Sequence, residues 1–292
     1  MNNITKVNRK GTNTTIQMIV INNPNNPTGS TIPESVLEDI INVARNRNII
    51  LLSDEVYRPL YHSLSPSTTP PPSALTLSPP YEQVITTSST SKAWALAGLR
   101  IGWLATRSAS LLSKIASARD YTTISVSQVD DQIARYALSA PVAPKLLERN
   151  LALARTNLEI IRKFVEEDNA DVCDWVRPTA GTTAFIQFFT STSKQRSGGG
   201  DGGGGEGEGG GEKGSKERER GEPVDDVEFC RDLLRETGVM VVPGGRCFGV
   251  GVGGSHSEGV FRGFVRVGYV SDTGVLRKAL EKLSWYVNKK LR

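Results

Sequence analysis

Two short stretches of the chain are apolar without alternation. Residues 16–21 (IQMIVI) and 49–52 (IILL) each read as a strand buried on both faces of a sheet. Between them, Pro33 stands where a first helical turn tolerates proline, and Val36, Leu37, Ile40, Ile41 and Ala44 recur at helical spacing. Strand, helix and strand in so short a span form a βαβ unit, which sets the two strands parallel. Residues 83–87 and 100–105 predict further strands, and helical patterns follow at 108–118, 127–139 and 142–168. The character then changes. Residues 174–176, 183–189, 239–242 and 263–269 read as strands, flanked by helices at 225–237 and 272–288. The expectation is therefore an α/β domain over 1–140, with a mostly parallel sheet, and a smaller α+β domain over 141–292.

Two segments break the pattern. Residues 64–80 carry six prolines among serines and threonines and predict a surface excursion within the large domain. Residues 197–221 hold 13 of the 29 glycines and no large apolar side chain. Such a tract cannot bury enough surface to order itself, so 193–223 is expected to be a disordered insertion in the small domain.

Composition adds mainly exclusions. The formal net charge is +4. In the KGSKERER run (residues 213–220) glutamates alternate with the basic residues, so no basic patch for nucleic acid is expected. No run of about 18 apolar residues predicts a membrane span. The first fifteen residues lack an apolar signal core, which points to a cytoplasmic protein. Cys173, Cys230 and Cys247 have no metal-ligand spacing and no disulfide framework, so they read as thiols in a reducing compartment and no metal is expected. His62 and His256, with no nucleophile or metal partner nearby in sequence, read as solvated.

Four local patterns carry candidate chemistry: Asn26-Pro27-Thr28-Gly29; Ser53-Asp54-Glu55-Val56-Tyr57; Ser89-Thr90-Ser91-Lys92 with Gly98-Leu99-Arg100 behind it; and Phe264-Val265-Arg266-Val267-Gly268. The first three fall at or just past the carboxyl end of a predicted strand, where open α/β sheets bind ligands. Singly, each has an ordinary explanation: a turn, a solvated acid, a surface lysine, an ion-pair arginine. Their order and separations, from Asn26 to Asp54, Asp54 to Tyr57 and Lys92 to Arg100, make the case together. So do Val242-Pro243-Gly244 and Phe248-Gly249 ahead of Arg266.

The set resembles the class I/II aminotransferases of fold type I, which depend on pyridoxal 5'-phosphate. The resemblance implies a three-layer αβα large domain, incomplete at its N-terminus, because Asn26 stands almost at the start of this chain. Uncovered sheet edges and apolar helix faces are expected as a result. It implies that Lys92 is the Schiff-base lysine and, once freed, the base that moves the α-proton, its amine being held in a desolvated site. Asp54 would hold a proton on the pyridine nitrogen, making the ring an electron sink. Asn26 and Tyr57 would donate to the ring's phenolic oxygen. Ser89, Ser91 and Arg100 would hold the phosphate, and Arg266 would clamp the substrate α-carboxylate as a bidentate fork, with Arg262 as the alternative. The Asn26–Pro27 bond is expected to be cis. The implied substrates are an amino acid and a 2-oxo acid, and the implied assembly a homodimer. Two alternatives stand beside amino transfer. One is an impaired remnant of a longer enzyme. The other is related chemistry at the α-carbon, such as elimination or the cyclisation of capreomycidine-synthase-like proteins.

Overall fold

The structure, a computed structural model of the whole chain, describes residues 5–7, 13–65, 67–191, 220–248 and 261–292. Most of the glycine-rich tract, His256 and Gly249 lie outside the described residues. The chain divides into two compact units, residues 1–155 with Pro178–Thr182, and Thr156–Arg177 with Thr183–Arg292.

The first unit is built on a four-stranded sheet in the order β3 (Met18–Asn22), β4 (Ile50–Asp54), β5 (Val84–Ser89) and β6 (Gly102–Thr106). The first three strands are parallel and β6 runs antiparallel to β5. A separate hairpin, β1 (Thr5–Val7) with β2 (Asn13–Thr15), precedes them. Helix α1 (Glu34–Asn46) makes the βα crossover. Its Leu37, Ile41 and Ala44 pack with Ile49, Leu51 and Val84 into one apolar cluster. Burying a side chain such as Leu37, Ile41 or Leu51 stabilises the unit by about 1.5–3 kcal/mol. Helices α2 (Ala109–Arg119) and α3 (Gln128–Ala137) begin at Ser108 and Ser127, whose hydroxyls accept from Leu111 N and Asp130 N. These serines satisfy orphan first-turn donors and so start the helices there.

Two expectations for this unit fail. β3 is an edge strand, not one buried on both faces: Ile19 and Ile21 meet the cluster, while Met18 and Val20 are exposed. A largely apolar run cannot tell whether both faces of a strand are covered, because only neighbouring elements decide that. The proline-rich segment is only partly a surface excursion. Pro71, Ala74 and Leu77 are buried, with Ala74 and Leu77 in the core cluster. The anchor is Glu55, itself buried, whose Oε1 accepts from Ser53 Oγ, Ser73 Oγ and Ala74 N at 3.2, 3.0 and 2.9 Å. Three donors on one oxygen offset the cost of burying the carboxylate. Exposed apolar side chains also gather on and around α3, including Tyr121, Ile124, Val129 and Tyr136.

The second unit holds an antiparallel sheet in the order β7 (Cys173–Trp175), β8 (Thr183–Phe188), β10 (Phe264–Gly268) and β9 (Val242–Pro243). Helix α4 (Ala143–Arg162) begins in the first unit and ends in the second, running on as a π-helical turn, Lys163–Asp168. Helix α5 (Asp226–Thr237) is started by Asp225, which accepts from Val227 N and Glu228 N, and stopped by left-handed Gly238. A short helix, α6 (Gly244–Phe248), follows β9, and α7 (Thr273–Lys290) is capped by Asp272. Phe188 stacks on Phe229 at 4.7 Å, and Phe229 meets Tyr286 edge-on at 5.2 Å, forming an aromatic core between the sheet and helices α5 and α7. Among the described residues no helix is long and apolar enough to cross a membrane.

Candidate active site

The register of the first unit's sheet aligns the strand ends that matter. Asn22 pairs with Asp54, Asp54 with Thr87, and Ser89 with Gly102. Because β6 runs the other way, its amino end meets the carboxyl ends of β3, β4 and β5. Asn26, Asp54, Tyr57, Ser89, Ser91, Lys92 and Arg100 are therefore all placed along one edge of one sheet.

The loop after β3 is held by its own asparagines. Asn22 Nδ2 donates to Asp54 O and its Oδ1 accepts from Asn26 N at 2.6 Å, while Asn23 N donates to Asp54 O at 2.9 Å. Asn26–Pro27 is cis. Asn25 Oδ1 accepts from Thr28 Oγ1, and Gly29 N closes on Asn25 O, so the Asn-Pro-Thr-Gly turn is internally bonded.

Asp54 ends β4. Its Oδ1 accepts from Val56 N at 3.2 Å and Thr87 Oγ1 at 3.4 Å; its Oδ2 takes no hydrogen bond among the described residues. One oxygen thus orients the carboxylate and the other remains available. Tyr57 is buried, and Gly181, with φ +76°, lies against its ring: a Cβ there would sit 3.6 Å from Tyr57 Cδ1.

Ser89 closes β5, and its Oγ accepts from Ser91 N at 3.1 Å, folding the strand end into a tight bend. Gly102 lies close beside it, where a Cβ would stand 3.1 Å from Ser88 O. Thr90 is buried, its N and Oγ1 donating to Ile101 O, so the two arms of the Lys92–Arg100 loop are tied at the base. Lys92 itself is exposed, which departs from the expected desolvated amine. It sits in the bend that follows β5. Arg100 is exposed too, in left-handed backbone at φ 55°, and its Nη1 donates to Ala97 O.

Arg266 belongs to the second unit, in the middle of β10 opposite Phe185, with its guanidinium 5.3 Å from the Phe248 ring centroid.

Several supporting groups escaped sequence reasoning. The segment Pro178–Thr182, far along the chain, bonds both site loops. Thr179 N and Ala180 N donate to Gly29 O, Gly181 N donates to Leu60 O, and Thr179 O accepts from His62 N and Ser63 N. His62 is buried rather than solvated. Desolvation lowers its pKa to about 4, against the raising effect of hydrogen bonds with the Ala180 and Gly181 backbone. Only Gly181, a glycine in a turn-rich PTAG stretch, offered any local signal.

A mixed sheet flanked by helices, with a carboxylate, a lysine, hydroxyls and an arginine at its carboxyl end, defines an α/β protein whose polar groups gather where open α/β sheets bind ligands. The chain belongs to the class I and II aminotransferases, whose family model matches residues 2–283. It is 27% identical over 233 residues to capreomycidine synthase of Streptomyces vinaceus, covering 80% of this chain and 49% of that protein. It is 27% identical over 271 residues to aspartate aminotransferase of Thermotoga maritima, covering 92% and 56%. Among solved structures, a PLP-dependent aminotransferase from Streptococcus suis 89-1591 superposes with a TM-score of 0.70 at 29% identity, over 94% of this chain and 58% of that one. The chain thus spans about half the length of the curated relatives it matches.

Proposed function

We propose that this polypeptide binds pyridoxal 5'-phosphate along the sheet edge and serves amino transfer between an amino acid and a 2-oxo acid. The observation that carries the reading is Asp54: its Oδ1 is fixed by Val56 N and Thr87 Oγ1, and its Oδ2 is open to a further donor. A carboxylate held by one oxygen and open at the other is the acceptor that a protonated pyridine nitrogen, itself the donor, requires. Bound there, the cofactor supplies the electron sink for cleavage at the α-carbon. Asp54 keeps the proton on the ring nitrogen. Asn26 and Tyr57 donate to the ring's phenolic oxygen, and Ser89, Ser91 and Arg100 bind the phosphate. The Lys92 amine would serve as the base that moves the substrate α-proton. Arg266 holds the substrate α-carboxylate. The family also supports a homodimeric assembly.

A second reading, a polypeptide impaired in cofactor chemistry, is favoured by the exposure of Lys92 and Arg100. A single experiment separates the two. The chain is mixed with pyridoxal phosphate, reduced with borohydride, digested and mapped. A pyridoxyl group on Lys92, absent from Lys92→Ala, supports the first reading. Labelling spread over surface lysines, with Lys92 no more reactive than Lys114 or Lys145, supports the second.

A further inference from the structure

A buried acid in the second unit has no part in the chemistry above. Asp226, in the first turn of α5, is 5% exposed, and its Oδ2 accepts from Gly245 N at 3.0 Å. The Arg246 amide bonds it as well. Desolvation raises its pKa, and these backbone donors counter the shift. The carboxylate thus ties down the first turn of α6, which ends in Phe248.

The same short helix is pressed onto the sheet. A Cβ on Gly244 would lie 2.5 Å from Phe264 O and 2.7 Å from the Phe185 ring, so only glycine lets α6 approach this closely. Phe248 then meets Phe185 edge-on at 5.7 Å, Phe185 stacks on Phe264 at 4.7 Å, and Phe261 meets both. Val265 and Val267 are buried on the other face of β10, so Arg266 emerges on the face that carries these rings. There its guanidinium lies 5.3 Å from the Phe248 centroid, within the range of a cation–π contact.

We propose that Asp226 and Phe248 are positioning residues for Arg266: Asp226 fixes α6, and α6 holds the Phe248 ring against the guanidinium, presenting the fork in one orientation to a carboxylate. The proposal rests on Arg266 being the carboxylate clamp. Asp226 acts two steps away and touches no substrate.

The test reads the Arg266 side chain directly. In the isotopically labelled chain, the Arg266 Nε–Hε signal should be shifted upfield by the Phe248 ring and show restricted motion. Phe248→Leu should remove the ring shift and Phe248→Tyr should keep it. Asp226→Asn should mobilise the signal. Gly245→Ala should do so as well, because its Cβ would stand 3.0 Å from Asp226 Oδ1. The Arg292 signal, held by Asp171 at 2.5 Å, should stay put in every variant and shows that the unit is folded. Titrating sodium pyruvate, a simple 2-oxo carboxylate, should move the Arg266 signal. Its Kd should rise about two- to fivefold in Asp226→Asn and Phe248→Leu, as loss of a cation–π orientation implies. Unchanged Arg266 shift and order in both Asp226→Asn and Gly245→Ala, with Arg292 in place, overturns the positioning role, whatever pyruvate does. A wild-type Arg266 signal that ignores pyruvate while still responding to Asp226→Asn overturns the clamp reading, and with it the link to substrate.

Discussion

The two units hold their key side chains by different means. In the first, the backbone does most of the work. Parallel register sets Asn22, Asp54 and Thr87 side by side, and the loops beyond are tied by main-chain amides from Asn23, Asn26, Val56, Ser91 and Thr179. In the second, Arg266 is held by packing against a ring, and that ring by further rings and a glycine contact. The strand ends stay where the sheet puts them, and because three of these amides donate to side-chain oxygens of Asn22, Asp54 and Ser89, replacements that keep an acceptor there leave the loops tied. Aromatic packing is shape-dependent, so a change in one ring is felt by the next.

The largest expected effect comes from exchanging one group in each unit. Asp54→Asn leaves the strand end in place and keeps an acceptor, but removes the charge that holds a proton on the ring nitrogen. It should lower kcat about 10²- to 10³-fold with KM little changed. Arg266→Ala should instead raise KM for every amino acid substrate about tenfold or more, the worth of one charged hydrogen bond, and change kcat less. Steady-state kinetics on a chain shown to carry pyridoxal phosphate checks both. If Asp54→Asn and Arg266→Ala give the same split, the division into a chemical unit and a binding unit is wrong. An unchanged KM in Arg266→Ala would shift the clamp to Arg262.

The next effect concerns pH and belongs to the first unit alone. His62 is 4% exposed, its Nδ1 lies 2.9 Å from Ser63 Oγ, and Arg155 Nε donates to its carbonyl. An unfolded histidine takes up its proton near pH 6.5, whereas the folded one resists until about 4. Because the folded pKa is depressed, the unfolded state binds more protons in this window. Stability is therefore intact above the unfolded value and is lost as pH falls through 6.5 toward 4. Between pH 7.5 and 5 the loss should be about 2 kcal/mol. Urea midpoints at the two pH values should show it in wild type and not in His62→Gln, after the carboxylate contribution common to both is subtracted. Equal slopes in the two proteins would place His62 in solvent after all.

How much of this was legible in the sequence follows from where each partner lies along the chain. The strands of the first unit were readable from their apolar runs, and the place of each motif at a strand end followed from its short, local spacing; the roles of the motif residues came only through resemblance. The Asp54–Thr87 alignment then follows from parallel pairing. Arg266 was readable only through resemblance, since one arginine on a strand carries no local signal. What escaped depends on distant segments. Glu55 carried no local signal of burial, because the Ser73 and Ala74 groups that bond it lie 18 and 19 residues away. His62 looked solvated because its neighbours, Thr179 to Gly181, come more than a hundred residues later. β3 looked buried on both faces because apolar composition reports a preference for burial, not whether a neighbouring element covers each face. The proline-rich segment failed for the same reason: prolines mark irregular backbone, and irregular backbone can still dock through Pro71, Ala74 and Leu77.

The smallest expected effect compares two glycines and tests the contrast between scaffolding and packing directly. Gly181 in the first unit has φ +76°, and a Cβ there would meet only the Tyr57 ring, at 3.6 and 3.7 Å, which is ordinary contact. Gly181→Ala should therefore cost only the left-handed backbone penalty, about 1 kcal/mol. Gly181→Asn should cost less, because asparagine tolerates that conformation. Gly244 in the second unit has no positive φ to defend, but its Cβ would overlap Phe264 O and the Phe185 ring. Gly244→Ala should cost more, about 1–3 kcal/mol as for other overpacking, and Asn there should be worse than Ala, not better. The opposite order of Ala and Asn at the two positions, read from denaturation midpoints, separates backbone strain from steric exclusion. If Ala outperforms Asn at Gly181, packing against Tyr57 governs that position too, and the first unit is less backbone-built than its hydrogen bonds suggest.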